Sequence, residues 1–459
     1  MATGMLQRRR EFAGILPVVS LLLCITNWNP SANGDDDGFG GLSSLPTPSI
    51  KGFRKKITLP SLCSFEDVTA LLGFRSQLSD PQNALSSWNP TTDCCTWRGI
   101  TCSTASGQHR VTGLHLVPRG YESETSFLSV SQQFNGVAGV PLADLSALET
   151  LSLTSVTFNT NLPTVWGTLS NLSSLSLVNC AFKAEIPLTF AELGNLKHLC
   201  LSGNHLTGGL PTYMIRIFRQ LQSLDLSSNS FTGGINQLFM LCSTLTSLDL
   251  GHNEFDNSPI PNLFGFMPGL RHLDLSHNRF GGLIPPSLQL LRHLRFLDLS
   301  SNMLDGSIPS VIFAIESLTT LFLHDNQLSG FPAQFPITGS RMEELDLSNN
   351  SLTGSIPPAI SALRRIQSLD LSGNNLTGGI PGTLGLNSEL EFLFLEKNGL
   401  VGPIPPEMAS LHNLVLADVS QNFLLGPVPG GPWPSFPASS FEGNLALCGA
   451  PLNRCPVTI

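Results

Sequence analysis

Charged residues are scarce in this chain, and basic residues are scarcer than acidic ones. Only 12% of the 459 residues are charged, and 24 basic against 33 acidic residues leave a net charge of −9. Recognition of nucleic acids and anionic lipids depends on clustered Lys and Arg, so the composition argues against such partners. Hydrophobic residues make up 41% of the chain, which is enough to bury a large core and excludes a chain that is disordered by composition.

Long apolar runs are also rare, although a membrane-spanning helix needs about 20 apolar residues. The extended run is FAGILPVVSLLLCI, which directly follows Arg8–Arg10 apart from Glu11. Its basic start and short length predict a secretory signal peptide over residues 1–28, with an uncleaved membrane anchor as the alternative. If the chain is complete, we expect a secreted, extracellular protein without a further anchor; association with the cell surface is the alternative.

Residues 29–60 have no apolar period that could be buried. They contain the acidic run Asp35–Asp37, several Gly and Pro residues, and the basic run Arg54–Lys56. This composition predicts a disordered linker or a pro-segment, and a functional basic motif is a further alternative.

Glycine and proline are abundant, but they recur at fixed intervals and therefore belong to a repeat. The pattern L-x-x-L-x-L-x-x-N, as in Leu270, Leu273, Leu275 and Asn278, returns every 24 or 25 residues. Its asparagines are Asn204, Asn229, Asn253, Asn278, Asn302, Asn326, Asn350, Asn374, Asn398 and Asn422. Earlier turns carry Cys180 and Val156 in the asparagine position, and a first imperfect strand lies near Val111, before an insertion at residues 120–140. We predict about thirteen repeats over residues 111–430.

The spacing within each repeat predicts its structure. Leu-x-Leu alternation is the period of a β-strand, and stacked strands of this kind form a parallel sheet over a leucine core. The asparagine can donate and accept hydrogen bonds to buried turn backbone; Cys180 can fit there as a buried thiol, whereas Val156 offers no hydrogen bond. A later Gly-x-Ile-Pro segment, such as Gly306 to Pro309, permits a tight bend and stiffens the convex side. The fold class is an α/β repeat solenoid with a concave parallel β-sheet.

Cysteines lie at both ends of the array. An N-terminal cysteine-rich cap is predicted over residues 61–110 and a C-terminal cap over residues 431–459. The cap cysteines are Cys63, Cys94, Cys95, Cys102, Cys448 and Cys455, which predict three disulfides in an exported protein. Because adjacent cysteines rarely pair, we expect Cys63–Cys94, Cys95–Cys102 and Cys448–Cys455, although spacing alone does not prove these pairs.

The front cap, the repeat L-x-x-L-x-L-S-x-N-x-L-x-G-x-I-P and the ending LCGAPL resemble plant-type extracellular leucine-rich-repeat proteins. This family includes receptor-like kinase ectodomains, receptor-like proteins and secreted polygalacturonase-inhibiting proteins, and the resemblance covers roughly Cys63 to Cys455. It implies a right-handed curved superhelix with disulfide-bonded caps, a second short sheet near the G-x-I-P segments and the same cysteine pairs. It does not select a ligand, because the family recognises peptides, steroids, glycans and enzymes.

Two further cysteines and three sequons have specific predictions. Cys200 should point outward from the concave sheet as an exposed thiol, with a redox or intermolecular role as an alternative, and Cys242 should pack on the convex side as a small apolar group. The predicted glycosylation sites are Asn171, Asn349 and Asn375. Glycan at the last two would shield part of the concave-to-lateral surface.

A column of aspartates is predicted on the concave face, four residues before each asparagine. Its members are Asp225, Asp249, Asp274, Asp298, Asp346, Asp370 and Asp418. We interpret them as solvent-screened structural charges; cation binding and acid-base catalysis are the alternatives. The repeat pattern specifies no nucleophile or poised histidine, so we predict no catalytic residue, no metal ligand and no cofactor.

Outward positions that depart from the repeat consensus are the candidate ligand-binding residues. They are His252, Arg271, His272, His277, Arg295, Phe296, Phe322 and His324 in the middle turns, and later Phe392 and Phe394 among Glu343, Glu344, Glu391 and Glu396. Arginine and aromatic residues are common interface anchors. The alternative is that a solvent-facing sheet carries such residues without a binding role.

Together, these features predict a non-enzymatic extracellular recognition module in receptor-like signalling or defence. We expect a peptide, glycan or protein ligand on the concave face, and a membrane co-receptor kinase as a further candidate partner. The alternatives are a secreted inhibitor of a cell-wall hydrolase and a truncated ectodomain of a membrane receptor.

Overall fold

The computed structural model describes residues 63–105, 108–118, 134–235, 242–256, 258–262, 264–332, 335 and 339–455. The predicted signal peptide and linker, and residues 120–133 of the insertion, lie outside the described residues. Within the described ranges, no helix is both long enough and apolar enough to span a bilayer.

The concave side is one 14-stranded sheet. Its first two strands are antiparallel, and each later strand is parallel to the strand of the preceding turn. The strands are Ile100–Ala105, Gln108–Leu116, Thr150–Thr154, Ser174–Val178, His198–Cys200, Ser223–Asp225, Ser247–Asp249, His272–Asp274, Phe296–Asp298, Thr320–Phe322, Glu344–Asp346, Ser368–Asp370, Phe392–Phe394 and Leu416–Asp418. Equivalent positions pair in register, so Leu273 faces Leu297. Each outward position therefore becomes a column across the sheet.

The leucines of the repeat form one continuous core. Leu270, Leu273 and Leu275 are fully buried, and the same positions are buried in the neighbouring turns. Each turn thus covers the apolar face of the next, as expected for a stacked array in which no single strand can bury its own face.

The asparagines connect adjacent turns through hydrogen bonds, as predicted. Asn302 donates from Nδ2 to the carbonyl oxygens of Leu275 at 3.0 Å, Leu299 at 3.2 Å and Ser300 at 3.0 Å. Its Oδ1 accepts from the backbone N–H of Phe280 at 3.0 Å. Because Leu275 and Phe280 belong to the preceding turn, one side chain satisfies the backbone of two turns.

Cys180 and Val156, which replace the asparagine in two earlier turns, are both buried. The Cys180 thiol is buried and donates to the carbonyl oxygens of Leu153 at 3.3 Å and Val178 at 3.4 Å. Burial raises the pKa of Cys180 to about 12, so it is a structural thiol. Val156 is also buried, and it fills the position by packing. In the C-terminal cap, Asn444 extends the ladder by one more step, accepting from Leu424 N–H at 2.9 Å.

The rest of each turn forms short strands and 3₁₀ helices. Four smaller sheets contain Leu78–Ser79, Phe134–Gly136 and Val156–Thr157; Lys183–Ala184, His205–Gly208, Ser230–Gly233 and Glu254–Phe255; Gly281–Leu283, Met303–Ser307 and Gln327–Gly330; and Thr353–Ser355, Asn375–Gly378, Gly399–Gly402, Phe423–Pro427 and Ala446–Cys448. The 3₁₀ helices are Cys94–Thr96, Val140–Asp144, Thr164–Thr168, Leu188–Glu192, Thr212–Met214, Phe264–Phe266, Pro286–Leu290, Ser310–Ala314, Pro358–Ala362, Gly382–Leu386, Pro406–Ser410, Trp433–Ser435 and Ala438–Phe441. The three small sheets that follow Lys183 lie at the G-x-I-P segments and their variants; at one of these segments Gly306 has a φ of 72°, which favours glycine.

Both ends are closed by the predicted caps. The N-terminal cap contains the helix Phe65–Ser76, and a further α-helix, Ile215–Phe218, is a single turn within the array. All three expected disulfides are present: Cys63–Cys94, Cys95–Cys102 and Cys448–Cys455. Trp88 and Trp97 stack at 5.7 Å in the N-terminal cap, and buried Trp433 fills the C-terminal cap. The cysteine pairing derived from the sequence is therefore confirmed.

Candidate ligand-binding face

Two columns of side chains point outward from the concave sheet. The first column contains His272, Phe296, Thr320, Glu344, Ser368 and Phe392, which pair in register on successive strands. The second column contains Asp274, Asp298, Phe322, Asp346, Asp370 and Phe394 on the same strands. Neighbouring strands lie about 4.8 Å apart, so consecutive members of a column are within contact distance.

Four of the predicted residues form a continuous aromatic stripe, namely His272, Phe296, Phe322 and His324. The rings of His272 and Phe296 stack with centroids 4.5 Å apart, and Phe296 meets Phe322 edge-on at 5.9 Å. Phe322 then contacts His324 at 6.3 Å. These geometries are those preferred by aromatic pairs. The stripe crosses three neighbouring strands.

Two arginines border this stripe on one side. Arg271 and Arg295 immediately precede His272 and Phe296, and both side chains are exposed. The backbone N–H of Arg295 donates to the carbonyl oxygen of Arg271 at 2.8 Å, which fixes the two residues on adjacent turns. The guanidinium groups are therefore available to an acidic or carbonyl-bearing ligand next to an aromatic surface.

On the other side, His252 and His277 stack with ring centroids 3.9 Å apart. Each lies immediately before a ladder asparagine in the left-handed region, with φ of 52° and 49°. Burial lowers the pKa of His252. Burial, together with the charges of His252 and His324, lowers the pKa of His277. Two neutral imidazoles can stack without charge repulsion and can both donate and accept hydrogen bonds.

His324 differs from these two histidines because acidic groups surround it. Its Nδ1 lies 2.9 Å from Asp325 Oδ2. Burial opposes protonation, but the hydrogen bond to Asp325 and the charges of Asp346 and Asp298 raise the pKa of His324 to about 9. The same hydrogen bond lowers the pKa of Asp325. His324 therefore places a positive charge at one end of the aromatic stripe at neutral pH.

The expectation that His272 and Cys200 are exposed is wrong. His272 is only 8% exposed, because its ring packs against Phe296. Cys200 is only 6% exposed, and its sulfur lies 3.4 Å from Ser202 Oγ and 3.5 Å from Asp225 Oδ2. The repeat pattern gives the direction of a side chain from the sheet, but the neighbouring side chains decide whether it reaches solvent.

The aspartate column has a structural role that the sequence alone did not specify. Asp274 Oδ1 accepts a hydrogen bond from the backbone N–H of Ser276, and Asp298 Oδ1 accepts from Ser300, both at 2.8 Å. The same bond recurs at Asp225, Asp249, Asp346, Asp370 and Asp418. Each aspartate thus stabilises the turn that leaves its strand.

The expectation that these carboxylates are solvent-exposed is wrong for the middle turns. Asp225, Asp249, Asp274 and Asp298 are buried. Burial raises the pKa of Asp225 to about 6. Burial and the nearby charge of Asp274 raise the pKa of Asp298 to about 8. Removing a carboxylate from water disfavours its charged form, so this part of the column is electrostatically costly.

The later group of candidates is separate from the aromatic stripe. Phe392 and Phe394 are half-buried on one strand, and Asp346 and Asp370 lie between Phe394 and Phe322 in the second column. The structure therefore brings the middle candidates together but leaves this pair apart from them. The sequons Asn171, Asn349 and Asn375 are exposed, and their glycosylation stays a prediction.

Family models and sequence relatives match this chain in its cap and its repeats. A leucine-rich-repeat N-terminal domain matches residues 65–103, and leucine-rich-repeat models match residues 195–215, 220–242, 243–304 and 316–376. Polygalacturonase inhibitor 1 of Phaseolus vulgaris is 38% identical over 81 residues, which are 16% of this chain and 23% of the inhibitor. Receptor-like protein 41 of Arabidopsis thaliana is 40% identical over 99 residues, 21% of this chain and 11% of that protein. The chain thus matches less than a quarter of the length of these relatives.

Solved structures show the same architecture over longer stretches. The ectodomain of the Arabidopsis thaliana receptor kinase GASSHO1/SCHENGEN3, in complex with CASPARIAN STRIP INTEGRITY FACTOR 2, is 39% identical with a TM-score of 0.66, covering 70% of this chain and 38% of that one. The Arabidopsis receptor kinase HAESA, in complex with the peptide hormone IDA and the co-receptor SERK1, is 28% identical with a TM-score of 0.50, covering 80% and 71%. A leucine-rich-repeat protein of Leptospira interrogans is 31% identical with a TM-score of 0.53, covering 63% and 70%.

Proposed function

The chain belongs to the leucine-rich-repeat proteins, and we propose that it is a non-enzymatic extracellular recognition module that binds a peptide ligand on its concave face. The observation that carries this proposal is the aromatic stripe with Arg271 and Arg295 along its border. It combines apolar contact area, two cations and several hydrogen-bonding groups on three adjacent strands. Aromatic and arginine side chains contribute most of the binding energy in typical interfaces.

The stripe offers an extended peptide contacts on several successive strands. The stripe runs across the strands, so a ligand that lies along it meets a new pair of outward residues about every 4.8 Å. An extended peptide advances about 3.3 Å per residue, so about three of its residues cover two strand spacings and present side chains and backbone groups to successive strands. Receptor ectodomains with the same architecture have peptide ligands in their solved complexes, which supports this choice.

The cap disulfides support an extracellular location, and the repeat pattern, which specifies no nucleophile, supports a non-enzymatic function. Three disulfides close the two ends of the array, and such bonds persist in oxidising compartments outside the cytosol. The aspartates of the concave face bind the backbone of their own turns through Oδ1, which is a structural use of the carboxylate rather than a catalytic one.

Ligand capture with paired variants tests this function. Small peptides from extracellular fluid are passed over immobilised protein, and the retained peptides are identified by mass spectrometry. We expect the triple variant Arg271→Ala, Arg295→Ala, Phe322→Ala to bind a peptide retained by the wild type at least 10-fold more weakly. The loss of such anchors costs about 3 kcal/mol of binding free energy, and about 1.4 kcal/mol corresponds to a 10-fold change in affinity.

The matched control is the variant Arg292→Ala, His293→Ala, which changes two exposed residues of the same turn outside the sheet. It should retain the same peptide as the wild type. Equal retention by the triple variant would contradict the proposal. A large fall in its melting temperature would show that the three residues belong to the scaffold.

A second candidate function is inhibition of a secreted polygalacturonase. The match to polygalacturonase inhibitor 1 of Phaseolus vulgaris favours it. The purified protein is incubated in excess with fungal endopolygalacturonases, and reducing-sugar release is measured. Full activity of every enzyme tested would end this alternative, whereas inhibition that the triple variant loses would place the inhibitor interface on the same surface.

A further inference from the structure

Three potential metal ligands lie together at the start of the aromatic stripe. Asp249, His272 and Asp274 each place one ligand atom within 4.8 Å of the other two, and all three side chains are buried. We call this group the Asp-His-Asp cluster. Its members come from two adjacent strands, Ser247–Asp249 and His272–Asp274.

The fold fixes the relative positions of these groups. His272 and Asp274 are two residues apart on one strand and therefore share a face. Asp249 pairs with Asp274 in register on the neighbouring strand. The two carboxylates are oriented through Oδ1, which accepts from Gly251 N–H at 2.9 Å and from Ser276 N–H at 2.8 Å. Such backbone contacts hold a ligand in place before a metal ion binds.

His272 supplies a second and independent observation. Its side chain is only 8% exposed, and its buried Nε2 has no hydrogen-bond partner among the described residues. A buried polar atom without a partner is costly, and stacking of the ring on Phe296 leaves that cost in place. A cation between imidazole and carboxylates would satisfy the nitrogen and would also offset the repulsion between the two carboxylates.

This combination is specific to one place in the repeat. The first column has Ser223, Ser247 and Ser368 at equivalent positions of other turns that carry aspartate in the second column. His198, the other histidine of this column, lies on the strand of Cys200 and not between aspartates. The repeat scaffold alone therefore requires no histidine at this position.

We propose that Asp249, His272 and Asp274 bind a divalent transition-metal ion of the zinc type. Imidazole and carboxylate ligands suit Zn²⁺, which usually takes four ligands in tetrahedral geometry. The three side chains would fill three of those positions, and a water molecule or a donor group of a ligand on the aromatic stripe would supply the fourth. This site goes beyond the proposed peptide recognition and does not depend on it, because metal binding is measured without any peptide.

The test is titration of the oxidised, untagged full-length protein with ZnCl₂ in a calorimeter, supported by the melting temperature with and without zinc. We expect one high-affinity site in the wild type. Asp274→Asn keeps the oxygen that accepts from Ser276 and loses the negative charge, and we expect it to weaken zinc binding at least 10-fold. His272→Gln keeps a polar side chain of similar length and should have an equal or larger effect.

The matched control is Asp418→Asn. Asp418 occupies the same column and accepts the same backbone bond, from Ser420 N–H at 2.9 Å, but its strand begins with Leu416 in place of a histidine. This variant should bind zinc like the wild type. The proposal is overturned if the wild type shows no stoichiometric zinc site, if His272→Gln binds as tightly as the wild type, or if Asp418→Asn weakens binding to the same extent. Equal stabilisation by Mg²⁺ and Ca²⁺ would also contradict an imidazole-containing site.

Discussion

At the scale of the residue, the ladder asparagines are the polar groups on which the array depends most. Asn374 is 6% exposed and donates from Nδ2 to the carbonyl oxygens of Leu347 at 3.0 Å, Leu371 at 3.1 Å and Ser372 at 3.1 Å. Its Oδ1 accepts from Leu352 N–H at 3.0 Å. Without this side chain, buried backbone groups of two turns would lose their partners.

We therefore expect Asn374→Ala to lower the free energy of unfolding by about 2–4 kcal/mol. The adjacent Asn375 is exposed and begins the short strand Asn375–Gly378. Asn375→Ala should therefore change the free energy of unfolding by less than about 0.5 kcal/mol. Urea denaturation of both variants, expressed without glycans, measures the difference. Similar losses of unfolding free energy in the two variants would show that the buried ladder asparagine contributes no more to stability than the exposed one.

His324 gives a prediction about pH. Hydrogen bonding to Asp325 and the charges of Asp346 and Asp298 prevail over burial and raise the pKa of His324 to about 9, whereas an unperturbed histidine titrates near 6.5. A raised pKa in the folded state means that protonation stabilises the fold. The contribution is complete below about pH 6.5 and is lost as the pH rises through about 9.

The stability of the wild type should therefore fall between pH 6.5 and 9.5 by more than that of His324→Gln, with a difference of up to about 3 kcal/mol. Thermal unfolding across this range measures it, and His293→Gln, which changes an exposed histidine, is the control. If the wild type and His324→Gln showed parallel pH profiles, the ion pair would contribute nothing to folding.

At the scale of the element, an ion pair with a buried carboxylate links the N-terminal cap to the strand Gln108–Leu116. Asp67, on the cap helix, is fully buried and accepts from Arg110 Nε at 3.0 Å and Nη2 at 3.1 Å. It also accepts from the backbone N–H of Val111 at 2.8 Å. The hydrogen bond to Asp67 raises the pKa of Arg110 against the effect of burial. The Asp67 carboxylate thus links the cap helix to the strand through a bidentate ion pair and a backbone hydrogen bond.

Asp67→Ala should destabilise the cap by about 3 kcal/mol, because it leaves Arg110 and the Val111 N–H without their buried acceptor. Glu66→Ala changes the neighbouring exposed acid of the same helical turn and should cost less than about 1 kcal/mol. Hydrogen exchange of the helix Phe65–Ser76 reports the cap directly. Unchanged protection of this helix in Asp67→Ala would show that the disulfides and the remaining backbone contacts hold the cap without this ion pair.

At the scale of the whole molecule, the candidate ligand-binding face exists only because turns stack in register. His272, Phe296 and Phe322 come from three successive turns, and their rings meet because the strands that carry them are hydrogen-bonded neighbours. A change that shifted one turn would separate the rings and also the two aspartates of the Asp-His-Asp cluster. Binding and stability can be separated by mutation only at side chains that point away from the leucine core.

The sequence by itself determined the solenoid, the asparagine ladder and the direction of each outward side chain. These features repeat with the period of the backbone, so the pattern of one turn, such as Leu270 to Asn278, predicts the structure of its neighbours. The tertiary structure decided which outward groups are covered and which touch. His272 and Cys200 are buried, and Asp249 meets His272 and Asp274, because exposure and proximity depend on side chains from neighbouring turns and not on the period of any one of them.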